Sequence, residues 1–173
     1  ASIDGGAGRI DVTDPATGER IAEHALAEAA DVDRAGGAAR RVHLSGALTA
    51  MRPIERGRMV QAMGRYLLEH KDEIARILTL EQGKPLWESH IEVEGAALYF
   101  EYYGNQASTV EGRSIPLGAG DMDWPEYEPC GVSAQILPGT DPVELTARSR
   151  AAALATGTAC VRLSAELSPG AGG

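Results

Sequence analysis

Between Pro53 and Gly83 the apolar residues Met59, Met63, Tyr66, Leu67, Ile74, Ile77 and Leu78 recur at three- and four-residue steps. That repeat is the mark of a helix with one buried face. The stretch predicts one long helix or two, opened by a first-turn proline and closed by Gly83. Pro85 restarts the pattern, and Trp87, Ile91, Leu98 and Tyr102 predict a further helix within 85–108. The aromatic cluster Tyr99, Phe100, Tyr102 and Tyr103 on it is read as core packing. A weaker helix is expected from Asp31 to about Leu44, with Val32, Ala35, Ala39 and Val42 on one face. Its central Gly36 and Gly37 each cost roughly 1 kcal/mol relative to alanine.

Strand signals flank these helices. IDVTDPATGERIAEHALA reads as two short strands around a Pro- and Gly-containing turn. GRSIPLGAGDMDWPEYEPCG is a Gly- and Pro-rich connection with short strands expected near Ser114–Leu117 and Trp124–Glu128. ILPGTDPVELTARSRAAALATGTACVRL runs from an apolar stretch through a tight corner and a helical stretch to a second apolar run, a β-α-β signature. Arg150 falls on the same helical face as Val143, Ala147, Ala151 and Leu154, where an unpaired guanidinium would cost several kcal/mol to bury. Either it reaches an uncovered edge, or this helix lacks the neighbours that would cover it.

The fold class is accordingly α/β: an N-terminal helical segment with a short β-pair, followed by one β-α-β unit. The expected divisions are a flexible start at 1–9, strand pair and helices at 10–109, a connecting β segment at 110–130, an incomplete β-α-β unit of the nucleotide-binding kind at 131–169, and a flexible tail at 170–173. Two parallel strands leave exposed edges, which predicts self-association or instability.

The 173 residues are 43% apolar and 24% charged, with a net charge of −9 and pI near 4.9. Such an acidic chain argues against nucleic acid or an anionic membrane as partner, since both demand clustered cations. Cys130 and Cys160 form no CxxC pair and the four histidines are scattered, so no metal site is expected. The absence of a leader-like or membrane-spanning run leads to the expectation of a cytoplasmic protein.

In order along the chain stand DPATGE (14–19), EQGKP (81–85), EPCGV (128–132) and ILP-x-x-x-P (136–142). With these motifs the sequence resembles the N-terminal part of the NAD(P)-dependent aldehyde dehydrogenase superfamily. The resemblance implies helices packed beside a Rossmann-like cofactor domain, NAD or NADP as cofactor, and an aldehyde as substrate. It also implies oxidation to a carboxylic acid through a cysteine thiohemiacetal. The family's catalytic cysteine and glutamate lie beyond the matched region, and no residue of this chain is expected to take a catalytic role.

The resemblance further places Thr140 at the position of an asparagine that helps hold the substrate oxyanion. Its hydroxyl has a shorter reach. Ile136, Leu137 and Pro138 become candidate cofactor contacts. Glu166 falls on a glutamate that contacts the adenosine ribose, whereas Leu163 stands at the companion lysine and Arg162 one residue earlier. Chemically, Asp141, Pro142 and Glu144 read as a reciprocal cap that starts a helix and occupies its free amides. Neither Cys130 nor Cys160 has the cationic surroundings that activate a nucleophile.

The sequence thus predicts a truncated homologue, inactive alone. The alternatives are a non-catalytic interaction protein that docks onto a full-length relative, or a weak nucleotide-binding module.

Overall fold

A computed structural model describes residues 6–165 and 169–170. In chain order the elements are β1 (Arg9–Thr13), β2 (Arg20–Ala25), α1 (Ala29–Leu44), α2 (Pro53–Glu69), α3 (Lys71–Gln82) and α4 (Leu86–Gln106). They are followed by β3 (Ile115–Gly118), β4 (Asp121–Asp123), β5 (Val132–Ile136), α5 (Pro142–Ala155) and β6 (Ala159–Leu163). The strands form three separate pairs: β1–β2 and β3–β4 antiparallel, β5–β6 parallel.

The expected long helix is two, α2 and α3, which meet at His70. Most of their periodic residues pack as read, with Leu78 fully buried and Met59, Met63, Leu67 and Ile74 lying against the core. Tyr66 instead lies outside, stacked on His70 with ring centroids 4.0 Å apart. Val60 and Leu78 join Val93, Ala96 and Phe100 of α4 and Val143, Ala147 and Ala151 of α5 in one cluster. Helix α5 therefore has two jobs, covering the helical core on one side and crossing over between β5 and β6.

Helix α4 is rotated relative to the expectation. Trp87, Ile91, Leu98 and Tyr102 are all more than half exposed, and its buried positions are Ser89, Glu92, Val93, Ala96, Ala97, Phe100 and Gly104. The cause is the distance to α2. A Cβ built on Gly64 would stand 2.9 Å from the Ala97 carbonyl oxygen and 3.0 Å from Phe100 Cβ, and one on Gly57 would collide with the Gly104 carbonyl. Helices this close admit only small residues between them, so the bulky side chains are turned outward. Of the four aromatics assigned to the core, Phe100 is buried and Tyr99 and Tyr103 pack against it, while Tyr102 is exposed.

Helix α1 departs similarly. Val32 and Val42 are exposed, and Asp31 and Ala39 are the buried positions. The Asp31 carboxylate accepts from the backbone N–H groups of Glu28 and Gly6, each at 2.9 Å, and pairs with Arg34. Those backbone donors, ahead of the nearby Arg34 charge, hold it below the usual aspartate range against the opposing effect of desolvation. At the chain start, Gly6 is tied in this way and Ala7 donates to the Leu26 carbonyl at 3.1 Å. The remaining residues of the expected flexible start, 1–5, and those of the tail, 171–173, lie outside the described residues.

The second strand of the connecting segment is β4 at Asp121–Asp123, not Trp124–Glu128. Positive φ at Gly118 (130°) and Gly120 (96°) closes the hairpin early. Pro125 then interrupts any continued ladder, having no N–H to donate.

Candidate functional site

The β5–α5 corner is the place where the unit opens. Ile136 at the end of β5 is 80% exposed, Leu137 and Gly139 are half-buried, and Pro138 and Thr140 are exposed. In open α/β units, ligands occupy the crevice outside the carboxyl ends of the strands. Thr140 is exposed there, but the corner is not held by its own residues.

The corner is held from EQGKP, 56 residues upstream. Lys84 Nζ donates to Glu92 Oε2 at 2.5 Å, to Asp141 Oδ1 at 2.8 Å and to the Thr140 carbonyl at 3.3 Å. Gln82 Nε2 donates to the Gly139 carbonyl and, at 3.3 Å, to that of Thr140. Gly83 makes the sharp exit from α3 possible, with φ of 73° and its N–H on the Thr79 carbonyl. The side chains on either side of it can then reach the corner together. Glu81 of the same motif is buried and accepts from the Gly170 N–H at 2.9 Å.

This arrangement corrects the expected cap. Asp141 stands at the N-cap position, yet its side chain bonds no backbone N–H of α5. Its carboxylate turns to Lys84 instead. Glu144 lies toward Gly95 of α4, where a Cβ would meet its Oε2 at 3.3 Å. The free amides at the start of α5 are taken by Glu92 of α4, whose Oε1 accepts from Val143 N–H at 2.9 Å and Glu144 N–H at 3.3 Å. Tertiary packing supplies the anion that the helix dipole favours. The opposite end is treated in kind: buried Arg56 of α2 donates from Nε to the Ala155 carbonyl at 2.8 Å. Helix α5 thus carries a partner carboxylate at its N-terminus and a partner guanidinium at its C-terminus.

Lys84 and Glu92 are 12% and 3% exposed, so their pairing is largely shielded from solvent. Burial works to lower the Lys84 pKa, but the hydrogen bonds and charges of Asp141 and Glu92 outweigh it and leave it raised. Because the folded value is the higher one, the stabilisation is complete below the unfolded lysine value and is lost as pH rises through the folded value. The melting temperature should consequently fall above about pH 10.5, the ordinary lysine value. A Lys84→Met chain should lack this component of the alkaline limb. Equal alkaline limbs in the two chains would remove Lys84 from the account.

The remaining candidates are placed by the sheet. In the parallel register Ser133 and Gln135 stand opposite Cys160 and Arg162, while Ile136 stands opposite Leu163. Arg162 Nη1 donates to Thr146 Oγ1 of α5 at 3.0 Å, so the Gln135–Arg162 face is the one under α5. Ile136 and Leu163 belong to the other face, against which α1 packs the sheet. Arg162 is thereby separated from Ile136. Glu166 lies outside the described residues. Arg150 is half-buried at the α5–β6 boundary rather than in the helical core. Cys130 is exposed, and burial raises the Cys160 thiol pKa against the smaller opposing effects of Arg150 and Gln135. Among the described residues no group of three or more His, Cys, Asp or Glu is placed to hold a metal ion, and no helix is long and apolar enough to cross a membrane.

Nothing in the sequence pointed directly to Lys84 and Glu92. The available signal was the pairing of a lysine and a glutamate within a Gly-Lys-Pro exit and the following helix, eight residues apart.

Comparison with known proteins agrees with this geometry. The model of the aldehyde dehydrogenase family matches residues 3–172. The protein DhaS of Bacillus subtilis (strain 168) is 35% identical over 161 residues, which cover 92% of this chain and 32% of DhaS. Among solved structures, PnpE from Pseudomonas sp. WBC-3 superposes with a TM-score of 0.92 at 37% identity, covering 96% of this chain and 34% of PnpE. PnpE in complex with nicotinamide adenine dinucleotide gives 0.88 at 37% identity, over 92% of this chain and 33% of that one. Betaine aldehyde dehydrogenase from Staphylococcus aureus, in complex with NAD+, gives 0.93 at 30% identity, over 98% and 34%. The chain spans about a third of the length of these relatives.

Proposed function

Because the chain belongs to the aldehyde dehydrogenase family, we propose that it forms the helical layer and the first β-α-β unit of an NAD(P)-dependent aldehyde-oxidising assembly. On its own it carries no aldehyde-oxidising activity. The observation that carries this reading is the open β5–α5 corner, with Ile136, Leu137 and Pro138 at a strand end and Thr140 beside them. An apolar strand end suits the flat rings of a nicotinamide dinucleotide. The α5 amides do not suit its phosphates, because Glu92 already fills them with negative charge. The residues of this chain therefore fit the rings of the cofactor and not its diphosphate at α5. When bound, the cofactor would supply a hydride acceptor; the chain's own part is to present this wall and hold the corner at a fixed angle.

No nucleophile is assigned. A catalytic cysteine must reach its thiolate readily, and Cys160 is held as a thiol by burial. Thr140, exposed at the corner, is kept as a side chain that could donate toward a substrate oxygen.

A second reading is favoured by a separate observation. Trp87, Ile91, Leu98 and Tyr102 form an exposed apolar stripe along α4, as expected of a chain that docks onto another copy or a full-length relative.

The test pairs titration calorimetry against NAD and NADP with an assay of aldehyde-dependent cofactor reduction. We expect no turnover by the isolated chain and at most weak cofactor binding, reduced by Ile136→Asp. Sustained, heat-labile cofactor reduction would overturn the reading. Co-purification with a full-length relative at fixed stoichiometry would favour the docking role.

A further inference from the structure

Two cationic side chains meet under α5 without a counter-charge among the described residues. Among the described residues, the Arg162 side chain of β6 is engaged by neutral hydroxyls, Thr146 Oγ1 at 3.0 Å and Ser164 Oγ at 2.5 Å. Arg150 follows Thr146 by one turn of α5, which sets it over the same strand. It makes no ion pair or side-chain hydrogen bond with another described residue. Its charge nevertheless reaches Arg162: burial first, and then the Arg150 charge, push the Arg162 pKa down to about 10. Like charges so arranged repel one another, and half-burial weakens the solvent screening that would normally absorb the repulsion.

A third group points into the same place. Gln135 stands opposite Arg162 in the parallel register and is only 5% exposed. Its amide leans toward the Cys160 thiol, yet neither Nε2 nor Oε1 has a hydrogen-bond partner of ordinary geometry among the described residues. A buried amide left unpaired costs about 1–3 kcal/mol. Two guanidinium groups and an unspent N–H donor together lack the same thing, an anionic acceptor with several oxygens. Arginine forks are matched to such oxyanions.

We propose an oxyanion site between α5 and the β5–β6 sheet, in which Arg150, Arg162 and the Gln135 amide hold a phosphoryl group. The dianionic charge of a phosphate balances the two guanidinium groups, and its several oxygens can accept from both arginine forks and from the amide. The site is independent of the β5–α5 corner. It lies under α5 on the face opposite Ile136 and Leu163, and it does not use the α5 N-terminus, which Glu92 fills.

The probe is inorganic phosphate, with adenosine monophosphate as a phosphomonoester, against chloride at matched ionic strength. Thermal melting and phosphorus NMR line width are followed on the full chain and on Arg150→Met and Arg162→Met. Methionine suits the half-apolar surroundings, and removing one of two repelling charges should leave both variants folded. Phosphate should raise the melting temperature of the unaltered chain and broaden the phosphorus signal. Each substitution should weaken binding at least about tenfold. Stronger binding of the monophosphate identifies an organic phosphate as the ligand, and equal or weaker binding identifies free phosphate; both support the site. No phosphate-specific shift in the unaltered chain at about 10 mM, or the same affinity in all three chains, overturns it.

Discussion

Replacing Lys84 with methionine is expected to lower the stability of the chain by about 3 kcal/mol, the scale on which breaking one side of a shielded ion pair is felt. The substitution leaves Glu92, 3% exposed, without its cation and leaves Asp141 without the partner that turns it from α5. Glu92→Gln should cost less, since a glutamine oxygen can still accept from the Val143 N–H while the buried charge is gone. The informative chain is the double variant. With no carboxylate left stranded at position 92, Lys84→Met/Glu92→Gln should be more stable than Lys84→Met alone. Urea unfolding of the four chains closes the cycle. Strict additivity would show that Lys84 and Glu92 do not act as one unit. Limited proteolysis adds a local readout, because the Gly139–Asp141 corner loses a bond to the Thr140 carbonyl and should be cut sooner in Lys84→Met.

Gly57→Ala is expected to destabilise the chain by about 3 kcal/mol, the upper part of the range for overpacking. In an exposed helix the same change would stabilise by about 1 kcal/mol, so the sign of the effect tests the close crossing directly. The obstacle is backbone. A methyl group on Gly57 collides with the Gly104 carbonyl and meets Ala107 Cβ at 3.3 Å. Neither neighbour can rotate away, and α2 and α4 would have to separate. As α4 also carries Glu92, separation should be transmitted to the α5 N-terminus. Gly36→Ala is the control: nothing lies within 4 Å of a Cβ there, so helix propensity alone should decide and the chain should gain stability. Loss of stability in Gly36→Ala, or a gain in Gly57→Ala, would contradict the packing account.

These two cases mark where sequence reading succeeds and fails. The period of Met59, Met63, Leu67 and Ile74 located α2 and α3, and their inward direction, because those residues are large, apolar and evenly spaced. The same logic turned α4 the wrong way. Trp87, Ile91, Leu98 and Tyr102 are its most apolar-looking row, but the row that touches α2 is selected by size, and alanine and glycine beat tryptophan there. The D-P-x-E string at 141–144 reads locally as a self-contained cap, and it is not one. Lys84 attracts Asp141, and Glu92 arrives from another helix to take the amides.

What the sequence by itself determined is the family, through four short motifs in order, and the succession of helices and strands, since both depend on local spacing. What only the tertiary structure decided is which atoms those motifs serve. EQGKP became a brace for the β5–α5 corner. Arg162 came to lie under α5 beside Arg150 and Gln135 rather than beside Ile136. The physical reason is common to both. Charged and hydrogen-bonding groups act over a few ångströms of space, and 56 residues of chain between Lys84 and Thr140 carry no trace of how close the two will be.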